Sequence, residues 1–275
     1  MKSIYSVSVL MAKSYRKPHQ YKRRKPILKN RFFWLGILIL IVFSAVFYFL
    51  FLSQTFQTEK IIISGVKKVS EESLKSSIER NLEQKILFLR TKSIVLLSLS
   101  KIKKDILNEF PQVAEIEIKR GFPDSLNAIV IERQGAASWC QNERCFLIDK
   151  EGIIFEEATS DEKSIKIIDK IKTTPLVLGE KVMQKEDLEN ILKIAPKLKL
   201  DLKIPVKEFV IYPEDKLAIV TEENWEIYFN LKNEIDWQMT KLGAVLEEKI
   251  PPEKRKDLEY IELRFGNFAP FKFKD

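Results

Sequence analysis

The chain has 275 residues, 45% of them hydrophobic, and a formal charge of +8. Ten of its 47 Lys and Arg lie in residues 1–31, which hold no Asp or Glu, so 37 basic residues face all 39 acidic ones in the rest of the chain. The high isoelectric point therefore belongs to the tail, which argues against nucleic-acid binding by a folded surface; the single histidine, His19, lies in that tail as well, so no Ser-His or Cys-His pair can form beyond it.

Residues 1–31 show no hydrophobic periodicity and carry Pro18 and Pro26 among the charges, the pattern of a disordered cytoplasmic tail. Its cluster Lys22, Arg23, Arg24, Lys25 fits anionic headgroups, or a topology signal and nothing more. Phe32 to Leu52 then gives 21 residues without a charge. At about 1.5 Å per residue this is long enough for the roughly 30 Å core of a bilayer, and it exceeds the about 7–15 residues of a signal-peptide core. No small-x-small cleavage site follows it at Phe51-Leu52-Ser53-Gln54. The basic flank predicts a single span with the N-terminus inside and the remainder outside. Whether Gly36, Ser44 and Ala45 add a helix-packing face stays open.

After the polar linker Ser53 to Thr58, the β-branched run Glu59 to Ser64 predicts a strand closed by Gly65. Ser70, followed by Glu71 and Glu72, reads as a helix cap, and Leu74, Ile78 and Leu82 make one apolar stripe. A second helix is predicted over Leu99 to Phe110, striped by Leu99, Ile102, Ile106 and Phe110 and followed by Pro111. Ile86 to Ser98, between them, is apolar but aperiodic and has no assignment. Ala114, Ile116 and Ile118 alternate with Glu115, Glu117 and Lys119 as in a half-buried strand. Leu126 to Ile131 is apolar on both parities, which predicts a more deeply buried strand after the turn at Gly121 to Ser125.

Farther on, Phe146 to Ile148 and Ile153 to Glu156 flank the turn Asp149 to Gly152 as a hairpin. Leu188, Ile191, Leu192 and Ala195 stripe a helix that Pro196 is expected to end or kink. Strands are predicted at Glu208 to Tyr212, Lys216 to Thr221 and Trp225 to Asn230. Ile235, Met239, Leu242 and Leu246 mark a final helix. The stripes are core-forming and imply no cofactor. Cys140 and Cys145 are the only cysteines. In an oxidising exterior they are expected to form a local disulfide, with two free thiols as the alternative. A metal site lacks donors, and no nucleophile elbow, H-E-x-x-H or phosphate-binding glycine loop is present. A non-enzymatic protein without cofactor, metal or small-molecule substrate is expected. At the end, Phe268 to Lys274 sets Phe271 and Phe273 on one face and Lys272 and Lys274 on the other, and Pro270 favours an edge strand.

Five segments in order carry a family resemblance: IIISGVKKVSEESL (61–74), FPQV (110–113), KRGFPDSLNAIVIER (119–133), CFLIDKEGIIFEE (145–157) and LEYIELRF (258–265). Behind one membrane helix, this arrangement resembles the FtsQ/DivIB family of bacterial cell-division proteins. Gly135 stands where that family usually has proline, Glu262 replaces an aspartate and Phe265 a tyrosine. The resemblance implies an α+β fold: tail 1–31, transmembrane helix 32–52, a POTRA domain over 57–135 with order β-α-α-β-β, and a β-rich domain with two helices over 136–275. It implies an inner-membrane protein of the division septum, with its C-terminal domains outside the cytoplasm. Its partners would be small single-span division proteins of the FtsB or DivIC and FtsL types. Contacts map to Arg264, Phe265, Gly266, Asn267, Phe268, Ala269, Phe271 and Phe273, with 266–273 as an augmenting strand. An ordinary edge strand protected by lysine and proline is the structural alternative. An envelope-assembly or secretion factor bearing a POTRA domain, or a membrane-tethered enzyme, are the functional ones.

Overall fold

The computed structural model describes residues 31–86, 89–159 and 164–274. The basic tail and His19 lie outside them, in residues 1–30. The chain divides into two compact units, residues 1–49 and 50–275.

In the first unit the described element is α1, Arg31–Phe51, one residue earlier at each end than the uncharged run. No side chain along it is buried, so its apolar surface is not satisfied by a protein core. Among the described residues it is the one helix long and apolar enough to cross a membrane.

The second unit holds two regions, each with its own main sheet and core, and the first carries a separate two-stranded sheet as well. The first contains β1 (Lys60–Ser64), α2 (Glu71–Leu82), the hairpin β2 (Gln84–Ile86) and β3 (Leu89–Thr91), α3 (Leu99–Glu109), β4 (Val113–Gly121) and β5 (Ser125–Glu132). Its strand order is β1-β5-β4, with β1 parallel and β4 antiparallel to β5. Ser70 caps α2 by accepting the Ser73 amide, as the sequence predicts. Leu74, Ile78 and Leu82 of α2 and Ile102 and Ile106 of α3 bury against Val113, Ile116, Leu126, Ala128 and Val130. The unassigned stretch 86–98 thus contributes the second strand of a short hairpin and a loop that buries Ile94 and Leu97. One expectation is corrected: β5 is not buried on both sides, because the helices cover a single face and leave Ile129 and Ile131 exposed on the other.

The second sheet takes β6 (Ala137–Gln141), β7 (Arg144–Ile148), β8 (Ile154–Glu157), β9 (Lys166–Asp169), β10 (Val206–Tyr212), β11 (Lys216–Thr221), β12 (Glu226–Asn230), β13 (Leu258–Glu262) and β14 (Phe271–Phe273). These nine strands run in the order β14-β13-β12-β11-β10-β9-β6-β7-β8, so β14 and β8 are its edges. Helices α4 (Lys185–Leu200) and α5 (Ile235–Glu248) contribute Leu188, Ile191, Ile194, Leu198, Leu242 and Leu246 to the core. Pro196 does not end α4, which runs one further turn to Leu200; the apolar contacts of Ile194 and Leu198 on either side hold the helix through the missing amide. Cys140 and Cys145 face each other across β6 and β7 and are joined as a disulfide.

The two sheets meet at residues 132–135. The Glu132 carboxylate accepts the amides of Lys67 (2.7 Å), Lys68 (3.0 Å) and Val69 (2.9 Å), while Arg133 pairs with buried Asp149 and donates through Nε to the Pro111 carbonyl at 3.0 Å.

Candidate functional site: the β14 edge

β13 is held centrally because Leu258 and Ile261 point into the core, while its backbone pairs with β12 on one side and β14 on the other. On the β14 side, the Glu262 amide donates to Pro270 O (2.8 Å) and the Lys274 amide to Asp257 O (2.8 Å). Backbone groups alternate along an antiparallel strand, so those of Pro270, Lys272 and Lys274 face β13. The N–H and C=O groups of Phe271 and Phe273 therefore point away from the sheet, where an added strand would pair. Proline at 270 loses nothing, since only its carbonyl is used.

Between β13 and β14 the chain makes a loop over 263–270 organised by a side chain that sequence reading missed. Lys241, on the buried face of α5 and 7% exposed, donates its ammonium to the carbonyls of Leu263 (2.7 Å) and Gly266 (2.9 Å), with those of Phe265 and Phe268 each at 3.4 Å. Burial lowers the Lys241 pKa from the usual lysine value, and the Glu262 charge partly restores it. The signal was present: Gln238 and Lys241 sit on the same helix face as Leu242. A lysine on a core-facing stripe is rarely fully buried unless it is paired.

Arg264, expected to meet an acid on a partner, already meets one within the chain. It grips Glu262 with Nε–Oε1 at 2.9 Å and Nη2–Oε2 at 2.8 Å, and its guanidinium lies 4.9 Å from the Phe265 ring centre. The carboxylate hydrogen bond is the main reason its pKa is raised. Arg264 thereby positions the loop and orients Phe265. The aromatic side chains around it face solvent: Phe265 is 61% exposed and Phe268 79%. Phe271 is exposed and meets Phe273 edge-on at 5.6 Å, while Phe273 packs on the core. Gly266 (φ +40°) and Asn267 are exposed, and Ala269 packs inward. The expected strand over 266–273 is corrected to 271–273, because the Lys241 ammonium takes up loop carbonyls that a ladder would otherwise use. A groove beside the loop is lined by Trp237, Thr240 and Val245 of α5 and by Asn267 and Ala269.

This edge combines outward backbone groups, exposed aromatics and a fixed loop, which is the chemistry of a protein-docking surface. The eight positions to which the family resemblance assigns partner contacts lie together around it, and the cysteine pair lies elsewhere, between β6 and β7 near the opposite end of the sheet. The family description "Cell division protein FtsQ/DivIB, C-terminal" matches residues 137–264, which run from β6 to Arg264. The chain is 26% identical over 144 residues to a protein described as Cell division protein FtsQ from Novosphingobium aromaticivorans, covering 52% of this chain and 40% of that one. It is also 26% identical over 172 residues to the protein so described from Zymomonas mobilis, covering 56% of this chain and 52% of that one. The chain thus spans about half, or less, of the curated relatives it matches.

Proposed function

We propose, for a chain that belongs to the FtsQ/DivIB family of cell-division proteins, that it works as a non-enzymatic, single-span scaffold whose β14 edge accepts a strand from another membrane-anchored division protein. α1 anchors the chain, with residues 1–31 in the cytoplasm and the rest outside, in keeping with the charge bias of its flank. Residues 57–135 act as a POTRA domain and residues 136–275 as the β domain that carries the partner site. The partner is a small single-span division protein of the FtsB or DivIC type, accompanied by an FtsL-like one, and the assembly regulates septal wall synthesis. Anchoring both proteins to one membrane raises their effective concentration, so a short augmented strand can suffice.

The observation that carries this reading is the outward-facing backbone of Phe271 and Phe273, with Phe265 and Phe268 exposed beside it. A tagged full-length chain should recover a single-span partner from host membranes, and removing residues 266–275 should abolish recovery. Phe273 also packs on the core, so the point variant Phe271→Pro accompanies the deletion. Undiminished recovery by both variants would overturn the edge reading.

A further inference from the structure

The first sheet has β1 and β4 as its edges, and the two are guarded unequally. β4 carries exposed Glu115, Glu117 and Lys119, and its register shifts between Val113 and Glu115; charge and irregularity of this kind keep an edge from pairing. β1 reads KIIIS, three successive β-branched residues of high strand preference. Ile61 and Ile63 pack on the core, while Ile62 stands 56% exposed on the open face. Ile129, 44% exposed, lies one diagonal step away on β5. The core uses only the Ile61 and Ile63 face, so folding gives no reason for isoleucine at 62.

The β1 backbone is half used. The Lys60 amide donates to Asp124 O at 3.2 Å, which fits the parallel register of Lys60 with Ser125 and turns the backbone groups of Lys60, Ile62 and Ser64 toward β5. Those of Ile61 and Ile63 therefore point away from the sheet, and no described residue bonds to them. The loop after β3 pairs with the chain only as far as Thr58, whose amide donates to Lys92 O at 3.0 Å.

Such an edge is complementary to itself. Two copies of β1 running antiparallel about Ile62 set Ile61 of each opposite Ile63 of the other, where both N–H···O=C bonds are exchanged, so every outward group is used. The two Ile62 side chains meet at the axis on the open face, and Lys60 meets Ser64, so no like charges are opposed. Charge at the strand ends selects the antiparallel sense. Glu59 precedes β1 and Lys67 follows it, both exposed, and the ion pairs nearby are made instead by Lys60 with Asp124 and by Lys68 with Glu156. Antiparallel pairing brings Glu59 of each copy to the Lys67 end of the other, whereas parallel pairing would set like against like.

We propose that β1 is a self-association edge, at which two copies of this chain join their first sheets into one continuous sheet in the order β4-β5-β1-β1-β5-β4. An edge of five residues buries less than the about 1,200 Å² of a stable free dimer, so the pairing is weak and shows at high protein concentration. It uses no residue of the β14 edge.

The purified full-length chain, concentrated in detergent, tests this by oxidation of introduced cysteines; Cys140 and Cys145 are bonded to each other and stay out of the reaction. Ile62→Cys should cross-link into a dimer several-fold faster than Glu117→Cys on β4. A mixture of Lys60→Cys and Ser64→Cys chains should cross-link several-fold faster than either alone, which reads the register. All four positions are exposed, so the fold is not at stake. Equal rates at 62 and 117, or no dimer at 62, would overturn the proposal, and a mixture no faster than its parts would overturn the antiparallel pairing. No cross-link in the purified chain, with protection of the Ile61 and Ile63 amides from exchange once host membrane proteins are added, would give the edge to a strand of another protein and overturn self-association.

Discussion

The two edges of the nine-stranded sheet meet solvent differently. At β8 the chain folds back over its own edge: Ile154 donates its amide to Glu180 O at 2.9 Å and accepts the Gly179 amide at 2.7 Å, while the Val182 amide reaches Gly152 O at 2.9 Å. Gly179 to Val182 thus acts as a strap that consumes pairing groups. At β14 no described segment does this, and proline, lysine and a short length are the only guards. An unpaired edge invites association, and proteins ordinarily blunt or cover it. One edge is strapped and the other left available, and the proposed partner site uses the available one.

The comparison breaks most severely if the strap is displaced. Gly152 has φ +76°, and a Cβ there would lie 2.2 Å from Met183 O. Gly152→Ala should therefore cost about 1–3 kcal/mol from backbone strain alone, read as a lower denaturation midpoint, and should raise self-association by uncovering β8. Next comes the device that shapes the open edge. Lys241→Met leaves the buried Leu263 carbonyl and the part-buried Gly266 carbonyl without this donor, an expected loss of about 1–3 kcal/mol. Partner affinity should fall with it, because Phe265 and Phe268 lose their fixed positions; calorimetric titration of wild type and variant checks this.

Phe271→Pro isolates the edge itself. It removes one outward N–H without removing a ladder bond, so stability should hold while affinity drops roughly three- to tenfold, the worth of one hydrogen bond. Phe271→Ala, which keeps the amide, separates the lost side chain from the lost donor. The smallest effect concerns pH. The Lys172 hydrogen bond holds the Glu180 carboxyl below the usual carboxylate range, against a smaller opposing effect of burial. A depressed folded value contributes stability above the unfolded value and loses it as pH falls through the folded one. Protection of the Ile154 amide should therefore decline only in that acidic window, and by about 1 kcal/mol at most for a part-exposed pair.

Several of these features were legible in the sequence. The long apolar helix α1 is, because an uncharged run of that length has no other regular structure to adopt. β4 is, because its alternation reports one buried face. Pro270 marked an edge, since no central strand accepts a proline. Other parts were not. β6 is buried along its whole length and carries Ser138 and Gln141, so it shows no alternation. The β2 and β3 hairpin has three-residue strands, too short to show a period. The length of β14 was overestimated because loop 263–270 is set by Lys241, which is more than 20 residues away and whose role exists only once α5 has packed. Arg264 looked available for a partner because its pairing with Glu262 depends on side-chain direction, which the spacing of two does not reveal.

The proposed addition of a partner's strand at β14 is open to a direct test. Amide hydrogen exchange on the full-length chain, with and without the captured single-span partner, tests it at two residues. The Phe271 and Phe273 amides should exchange freely alone and become protected in the complex, while Ile154 is protected in both. Binding that leaves Phe271 and Phe273 unprotected would contradict it.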